Sequence, residues 1–221
     1  MKAIQGKRLF AGIHPHGRKQ LSSGKPLEQL PPPGEVYISL SQSLGRPALP
    51  CVEKGAKVKR GERIASADGA ISSDVFASIA GEVTDIVRKT AQSGGEEAFI
   101  VIRADGSGEE FRFPPLTDPG PDEIRARVRD CGIVGLGGAG FPTAVKLSPP
   151  CPVDTLILNG AECEPYLTCD HRLMLEFTDE IVRGARYLKQ ALDCRRIIIG
   201  IEDNKPDAIA AFEPYPDIAV V

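Results

Sequence analysis

The sequence predicts an α/β protein in two parts, a β-rich barrel-sandwich domain followed by a parallel-sheet α/β domain. Three observations carry this reading. From Glu35 to about Arg103, short β-type runs alternate with glycine turns at roughly 8–12-residue spacing, the rhythm of a small sandwich or barrel. After Leu116, short apolar strands alternate with helical stretches, as in a parallel sheet covered by helices. Between the two, Leu116-Thr117-Asp118-Pro119-Gly120-Pro121 breaks the composition and marks a boundary. The expected segmentation is an extended leader over 1–34, the barrel-sandwich domain over 35–115 and the α/β domain over 116–221.

The leader mixes glycine, proline and basic residues and ends in Pro31-Pro32-Pro33-Gly34, which stiffens the chain and blocks regular structure. Barrel strands are expected over Val36–Leu40, across Lys54–Ala65, and over Ile79–Val87 and Ala98–Ile102. In the second part, Asp122 and Glu123 suit the positive end of a helix running to Asp130. A strand over Thr155–Leu158, a helical stretch from about Asp170 to Leu192 and a strand over Arg196–Ile201 follow. A short helix led by Pro206 and a strand over Asp217–Val221 close the chain. Because nothing follows that strand, the sheet is expected to be incomplete at its C-terminal end.

Composition narrows the function. With 42% hydrophobic and 26% charged residues in 221, the chain is able to bury a core. A net charge of −3 provides no field for nucleic acid or an anionic lipid surface. No run approaches the ~18–20 apolar residues of a membrane helix, and Met1-Lys2-Ala3-Ile4-Gln5-Gly6-Lys7-Arg8 leads into no signal-peptide core. The chain is therefore expected to make no direct membrane span. Its six cysteines form no CxxC pair, which argues against a zinc ribbon, a thioredoxin-type pair or a ferredoxin run. They read as small buried hydrophobes, with the role of Cys163 and Cys169 left open. His14, His16 and His171 share no metal-ligand spacing, so no metal is expected in this chain.

The pattern Lys54-Gly55 through Arg60-Gly61, with Ser78-Ile79-Ala80-Gly81-Glu82-Val83, resembles the biotinyl and lipoyl carrier hammerhead. A carrier needs a lysine at its hairpin tip, yet none occurs between Lys59 and Lys89 and the tip reads Asp68-Gly69-Ala70-Ile71-Ser72-Ser73-Asp74. The fold is kept and the carrier chemistry rejected.

The strongest chemical signal is Gly132-Ile133-Val134-Gly135-Leu136-Gly137-Gly138-Ala139-Gly140-Phe141-Pro142-Thr143-Ala144-Val145-Lys146. Its glycines leave backbone N–H groups open to close approach by an anion, and Lys146 adds a point charge, so the loop is expected to cradle a phosphate. Neither GxGxxG nor GxxxxGK[ST] fits it well, and by composition alone it is equally a plain tight turn. A second signal, Asn159-Gly160-Ala161-Glu162-Cys163-Glu164-Pro165-Tyr166-Leu167-Thr168-Cys169-Asp170-His171-Arg172, follows directly on an apolar strand. The carboxyl ends of strands in open α/β sheets are where ligands bind. Asn159 offers a donor and an acceptor, and Glu162 and Glu164 offer acceptors. Read alone, the turn is equally a solvated acidic lead into a helix.

Together, Gly-x-Gly-Gly-Ala-Gly-Phe-Pro-Thr with a following lysine and Asn-x-x-Glu-x-Glu-Pro resemble the signature shared by the flavin-binding subunit of respiratory complex I and the C subunit of Rnf electron-transport complexes. Asn159 through Tyr166, continuing to Asp170-His171-Arg172-Leu173-Met174, and Gly12-Ile13-His14-Pro15 are more similar to the Rnf branch. The resemblance implies FMN held by Gly135, Gly137, Gly138, Ala139, Gly140, Lys146 and Asn159, with NADH contacting Glu162 and Glu164. The hydride chemistry would then belong to the flavin, with no catalytic side chain. The chain departs from complex I at Leu136, where that relative has arginine, and at Ala161, where it has aspartate.

Rnf C subunits continue with a further flavin segment and a ferredoxin-like domain holding two 4Fe-4S clusters, so this chain reads as their front part, inactive alone. The implied setting is a peripheral, membrane-associated electron-transport complex at the cytoplasmic face, with other subunits and NADH as partners and ion translocation as the coupled process. Two rivals stand beside it. A cobalamin-reductase-like flavoprotein has a similar glycine loop but the opposite domain order, and a non-catalytic docking module would bind no flavin.

Overall fold

The computed structural model describes residues 15–90 and 94–221. The Gly12-Ile13-His14 part of the Rnf-like motif lies outside the described residues. The chain divides into two compact units. One takes the described residues up to Glu28 with Ile157–Arg183 and Ile197–Val221; the other takes Gln29–Leu156 with Gly184–Arg196.

The larger unit begins with seven strands: β1 (Glu35–Ser39), β2 (Leu49–Pro50), β3 (Lys57–Val58), β4 (Arg63–Ser66), β5 (Val75–Phe76), β6 (Gly81–Thr90) and β7 (Glu96–Ala104). They pair antiparallel in two sheets, ordered β1-β7-β6-β3 and β2-β4-β5. A register shift between Val83 and Asp85 bends β6, the local kink and added twist by which long strands curl. Burial drives the arrangement. Ile38, Val58, Ile64, Val75, Val83, Ile100 and Ile102 lie in one core, with Ile38 paired across strands with Ile100. This is the barrel-sandwich fold that the sequence predicts, with β2 and β5 as short additions whose two-residue length leaves no periodic signal.

The turn from β4 to β5 is held by its own side chains. Asp74 accepts from the Ala67 N–H at 2.8 Å and from Arg63 at 3.1 Å. The Ser72 hydroxyl accepts from the Asp68 N–H at 3.0 Å and donates to the Arg46 carbonyl at 2.9 Å.

The helices are α1 (Pro121–Asp130), α2 (Thr143–Lys146), α3 (Cys169–Glu176), α4 (Thr178–Leu192) and α5 (Pro206–Ala211). Helix α1 starts as the sequence predicts, with proline in its first turn and the Glu123 carboxylate accepting from the Gly120 N–H at 2.8 Å. Its apolar face puts Ile124 and Val128 into a core with Ala144, Leu147 and Ala191. It ends at Gly132, where φ is +61° and a Cβ would stand 2.5 Å from the Asp74 carbonyl oxygen. The Ile133 N–H returns to the Val128 carbonyl at 3.2 Å, a helix-closing bond made by chains that turn left-handed.

The smaller unit is built on a parallel sheet. Strands β8 (Thr155–Asn159), β9 (Arg196–Gly200) and β10 (Ile218–Val220) lie in the order β10-β9-β8, with Ile218 opposite Ile197 and Val220 opposite Ile199. The unit boundaries fall inside β8, α4 and β9. Met174, Val182, Ile197, Ile199, Ala208, Phe212 and Ile218 are buried.

Two expectations need correction. The helical stretch expected over about 170–192 is two helices, broken at Phe177 (φ −131°, ψ 35°), with the Thr178 hydroxyl donating to the Met174 carbonyl at 2.6 Å. No glycine or proline marks the break, because a threonine hydroxyl bonding four residues back bends a helix without interrupting its apolar pattern. The cysteines, expected as buried hydrophobes, are buried only at Cys194; Cys51, Cys151, Cys163 and Cys169 are exposed and Cys131 is half-buried. Several sit at loops or helix ends, where the backbone has no core face to offer.

Gly132→Ala is expected to lower stability by about 1–3 kcal/mol, since it forces a left-handed alanine against a carbonyl. Urea denaturation monitored by circular dichroism checks this; an unchanged midpoint would show that the turn carries no strain penalty.

Candidate functional site

The predicted site residues fall into two sets, one on each unit. On the larger unit, the glycine loop is closed at its base by main-chain ties. The Gly135 N–H donates to the Phe141 carbonyl at 3.0 Å, the Thr143 N–H donates to the Ile133 carbonyl at 2.9 Å, and Val134 bridges Pro142. Between these ties Leu136, Gly137, Gly138 and Ala139 are exposed, Leu136 at 90%. Residues 136–139 form a hydrogen-bonded turn, while among the described residues the N–H groups of Leu136 and Gly137 meet no protein acceptor. Lys146, at the end of α2, turns back over the loop. Its Nζ lies 3.0 Å from where a Cβ of Gly135 would stand and 5.9 Å from the centroid of the Phe141 ring.

The loop borders a cavity of about 360 Å³ lined by Ser41, Gln42, Ser43, Gly135, Leu136, Gly138, Ala139 and Gly140. No acidic residue lines it. Free N–H donors, an adjacent ammonium and a wall without carboxylates suit an anionic group such as a phosphate. The residues present therefore fit the phosphate end of a nucleotide cofactor.

On the smaller unit, β8 delivers Asn159 to its carboxyl end, and the Gly160 N–H ties the next turn to the Gly200 carbonyl at 2.8 Å. Asn159 is exposed and its Oδ1 accepts from the Ala161 N–H at 3.1 Å, so its amide nitrogen is the end left for a ligand. Glu164 is exposed, whereas Glu162 is only 2% exposed. Glu162 Oε1 accepts from the Asp170 N–H at 2.8 Å and from the Cys169 thiol at 3.5 Å. Its Oε2 accepts no hydrogen bond but lies 3.5 Å from Lys19 Nζ. The main-chain N–H of Glu162 is taken by Glu202 at 3.2 Å, and Glu202 is paired with the buried Lys205.

The segment around the 3-10 turn Lys19–Leu21 clamps this loop. Lys19 donates to the carbonyls of Glu162 and, at 2.9 Å, Leu167. The Tyr166 N–H donates to the Gly17 carbonyl at 2.6 Å, and Ser22 bonds both the Tyr166 carbonyl, at 3.2 Å, and Thr168, at 2.9 Å. Burial, followed by the neighbouring Glu162 and Glu164, holds the Asp170 carboxyl above the usual carboxylate range. Burial and the bond to Glu162 likewise push the Cys169 thiol up. Glu162, Cys169 and Asp170 bring ligand-type atoms within 4.8 Å of one another, and Lys19 Nζ lies 3.5 Å from the Glu162 carboxylate.

Sequence reasoning did not find Lys19, Ser22, Glu202 or Lys205, nor Ser41 and Ser43 at the glycine loop. Lys19 lies 143 residues from Glu162, a separation at which local spacing carries no signal.

Comparison with known proteins bears on both sets. Residues 7–107 match the RnfC barrel sandwich hybrid domain and residues 128–217 match the Nuo51 FMN-binding domain, which spans the glycine loop and the Asn159 turn. The chain is 42% identical over 213 residues to the RnfC-type component of a proton-translocating ferredoxin:NAD(+) oxidoreductase complex from Clostridium ljungdahlii, covering 94% of this chain and 47% of that protein. It is also 45% identical over 206 residues to the corresponding component of an ion-translocating oxidoreductase complex from Pectobacterium carotovorum, covering 90% of this chain and 27% of that protein. The chain belongs to the RnfC family. It corresponds to the N-terminal part of these RnfC proteins and spans less than half the length of either. A solved NAD+-reducing NiFe-hydrogenase is similar at 30% identity over 45% of this chain and 21% of that chain, with a TM-score of 0.40. Among the described residues, no helix of this RnfC chain is long and apolar enough to cross a membrane.

Lys19→Met would leave the Glu162 carboxylate buried without its counter-charge. The expected loss is about 1–3 kcal/mol in chemical denaturation, partly recovered in Lys19→Met/Glu162→Gln. Equal stability of wild type and the Lys19 variant would show the pair to be inert.

Proposed function

We propose that this RnfC chain forms the flavin-binding front of a subunit that takes hydride from NADH with FMN and passes electrons on to iron–sulfur clusters, coupled to ion translocation. The observation that carries the reading is the exposed glycine turn over 136–139, with the Leu136 and Gly137 N–H groups lacking protein acceptors among the described residues, beside the Lys146 ammonium and within the segment matched to an FMN-binding domain. A phosphomonoester brings about two negative charges and three acceptor oxygens to such donors.

Bound FMN would supply the conversion between two-electron hydride transfer and one-electron steps. The side chains bind and orient. Gly135, Gly137, Gly138, Ala139 and Gly140 keep bulk away from the phosphate, and Lys146 balances its charge. The Asn159 amide nitrogen is free to donate to a flavin edge. Glu164 is exposed for a ribose or carboxamide donor, whereas Glu162, expected to contact NADH, is buried with its Oε2 3.5 Å from Lys19 Nζ and serves to shape the turn. No side chain is assigned covalent or proton-transfer work.

In this reading the barrel over 35–115 and the α/β part over 116–221 act behind the leader over 1–34. The 4Fe-4S clusters lie in regions of the subunit beyond this chain, and the partners are the other subunits of a membrane complex. The subunit sits peripherally at the cytoplasmic face of the cell membrane.

The test is Lys146→Ala in the full-length gene product, titrated with FMN and with riboflavin by fluorescence quenching. Loss of a charge-assisted contact worth about 1.5–3 kcal/mol is expected to weaken FMN on the order of 10- to 100-fold and leave riboflavin, which lacks the phosphate, unchanged. Unchanged FMN affinity would sink the assignment.

A further inference from the structure

The glycine loop does not form its cradle alone. After β1 the chain makes a short turn fixed by two bonds: the Ser41 N–H donates to Ser39 Oγ at 2.9 Å, and the Gln42 side-chain amide donates to the Ser39 carbonyl at 3.0 Å. This turn then lies backbone-to-backbone on the glycine loop. The Leu44 N–H donates to the Gly140 carbonyl at 3.1 Å. Gly140 has φ +66°, and a Cβ there would stand 2.9 Å from the Gln42 carbonyl oxygen and 3.2 Å from Ser43 Cα. Only glycine permits that approach, and the approach brings Ser41 and Ser43 to the wall of the 360 Å³ cavity.

Neither hydroxyl has a protein partner among the described residues. The cavity is thus lined by two serines with unpartnered hydroxyls and by the exposed glycine turn, with the Lys146 ammonium beside Gly135. No carboxylate lines it. A flavin ring needs broad apolar walls for its faces, and apart from Leu136 this wall offers only small and polar residues. A phosphate needs donors on several sides and little else.

We propose that the hydroxyls of Ser41 and Ser43 donate to the phosphate of the flavin mononucleotide, so that the barrel domain is itself part of the cofactor site. This rests on the reading of the glycine loop as the FMN-binding loop. It assigns the barrel a direct role in retaining the cofactor, in addition to any part it plays in docking partners.

The experiment uses the full-length gene product with Ser41→Ala/Ser43→Ala, its folding checked by thermal melting. Each protein is titrated with FMN and with riboflavin, and inorganic phosphate is used as a competitor. The expected result is an FMN Kd raised about tenfold, an unchanged riboflavin Kd, and weaker competition by phosphate against FMN. If the double variant melts early, the single variants take its place, each expected to raise the FMN Kd about threefold.

Unchanged FMN affinity overturns the proposal, as does an equal loss for FMN and riboflavin, which would place the hydroxyls away from the phosphate. Lys146→Ala separates this from the parent reading. If that variant weakens FMN selectively while the serine variant does not, the barrel contribution fails and the glycine-loop site stands. If the wild-type protein binds no FMN, both fail.

Discussion

An exposed glycine turn whose Leu136 and Gly137 N–H groups lack a protein acceptor among the described residues is a liability that the larger unit is arranged to hold. Such donors are costly when buried, so the loop stays at the surface, where water or a ligand satisfies them. A surface loop rich in glycine would ordinarily lose its shape to chain entropy. Here both of its ends are tied, by Gly135 to Phe141 and by Thr143 to Ile133, and α1 feeds it through the left-handed turn at Gly132. The brace from Leu44 to Gly140 adds a third point of support from the barrel. The donors are thus held in place before any ligand arrives, which lowers the ordering cost of binding.

The smaller unit solves the opposite problem. Glu162 is a carboxylate taken almost wholly out of water, and such a group requires compensation. The N–H of Asp170, the thiol of Cys169 and the ammonium of Lys19 supply it, and Glu202 with Lys205 holds the main chain behind. Its neighbour Glu164 stays exposed. Two glutamates two positions apart in the sequence therefore have different environments: one shapes the turn and the other faces outward.

Membership in the RnfC family accounts for the order of parts, a barrel ahead of a flavin-type α/β domain. The two departures from the complex I pattern fall at telling places. Leu136 is 90% exposed at the rim of the cradle, so an apolar side chain stands where an arginine would add charge. Ala161 donates its N–H to the Asn159 side chain, which turns the asparagine so that its amide nitrogen remains available.

By itself the sequence determined the two fold classes, the helix beginning at Pro121 and the two motifs around Gly135 and Asn159. Each depends on neighbours within about a dozen residues: glycine spacing, proline position, apolar period. What only the tertiary structure decided lies at long separation. The break at Phe177 is made by a threonine hydroxyl that local pattern does not reveal. The burial of Glu162, unlike Glu164, follows from a lysine 143 residues away, and the serines at the cradle come from a barrel turn about a hundred residues before the loop they face. Composition and periodicity report which residues are apolar and how they repeat along one chain. They carry no record of which distant backbone comes close enough to share a hydrogen bond, because that depends on how the chain closes its loops during folding.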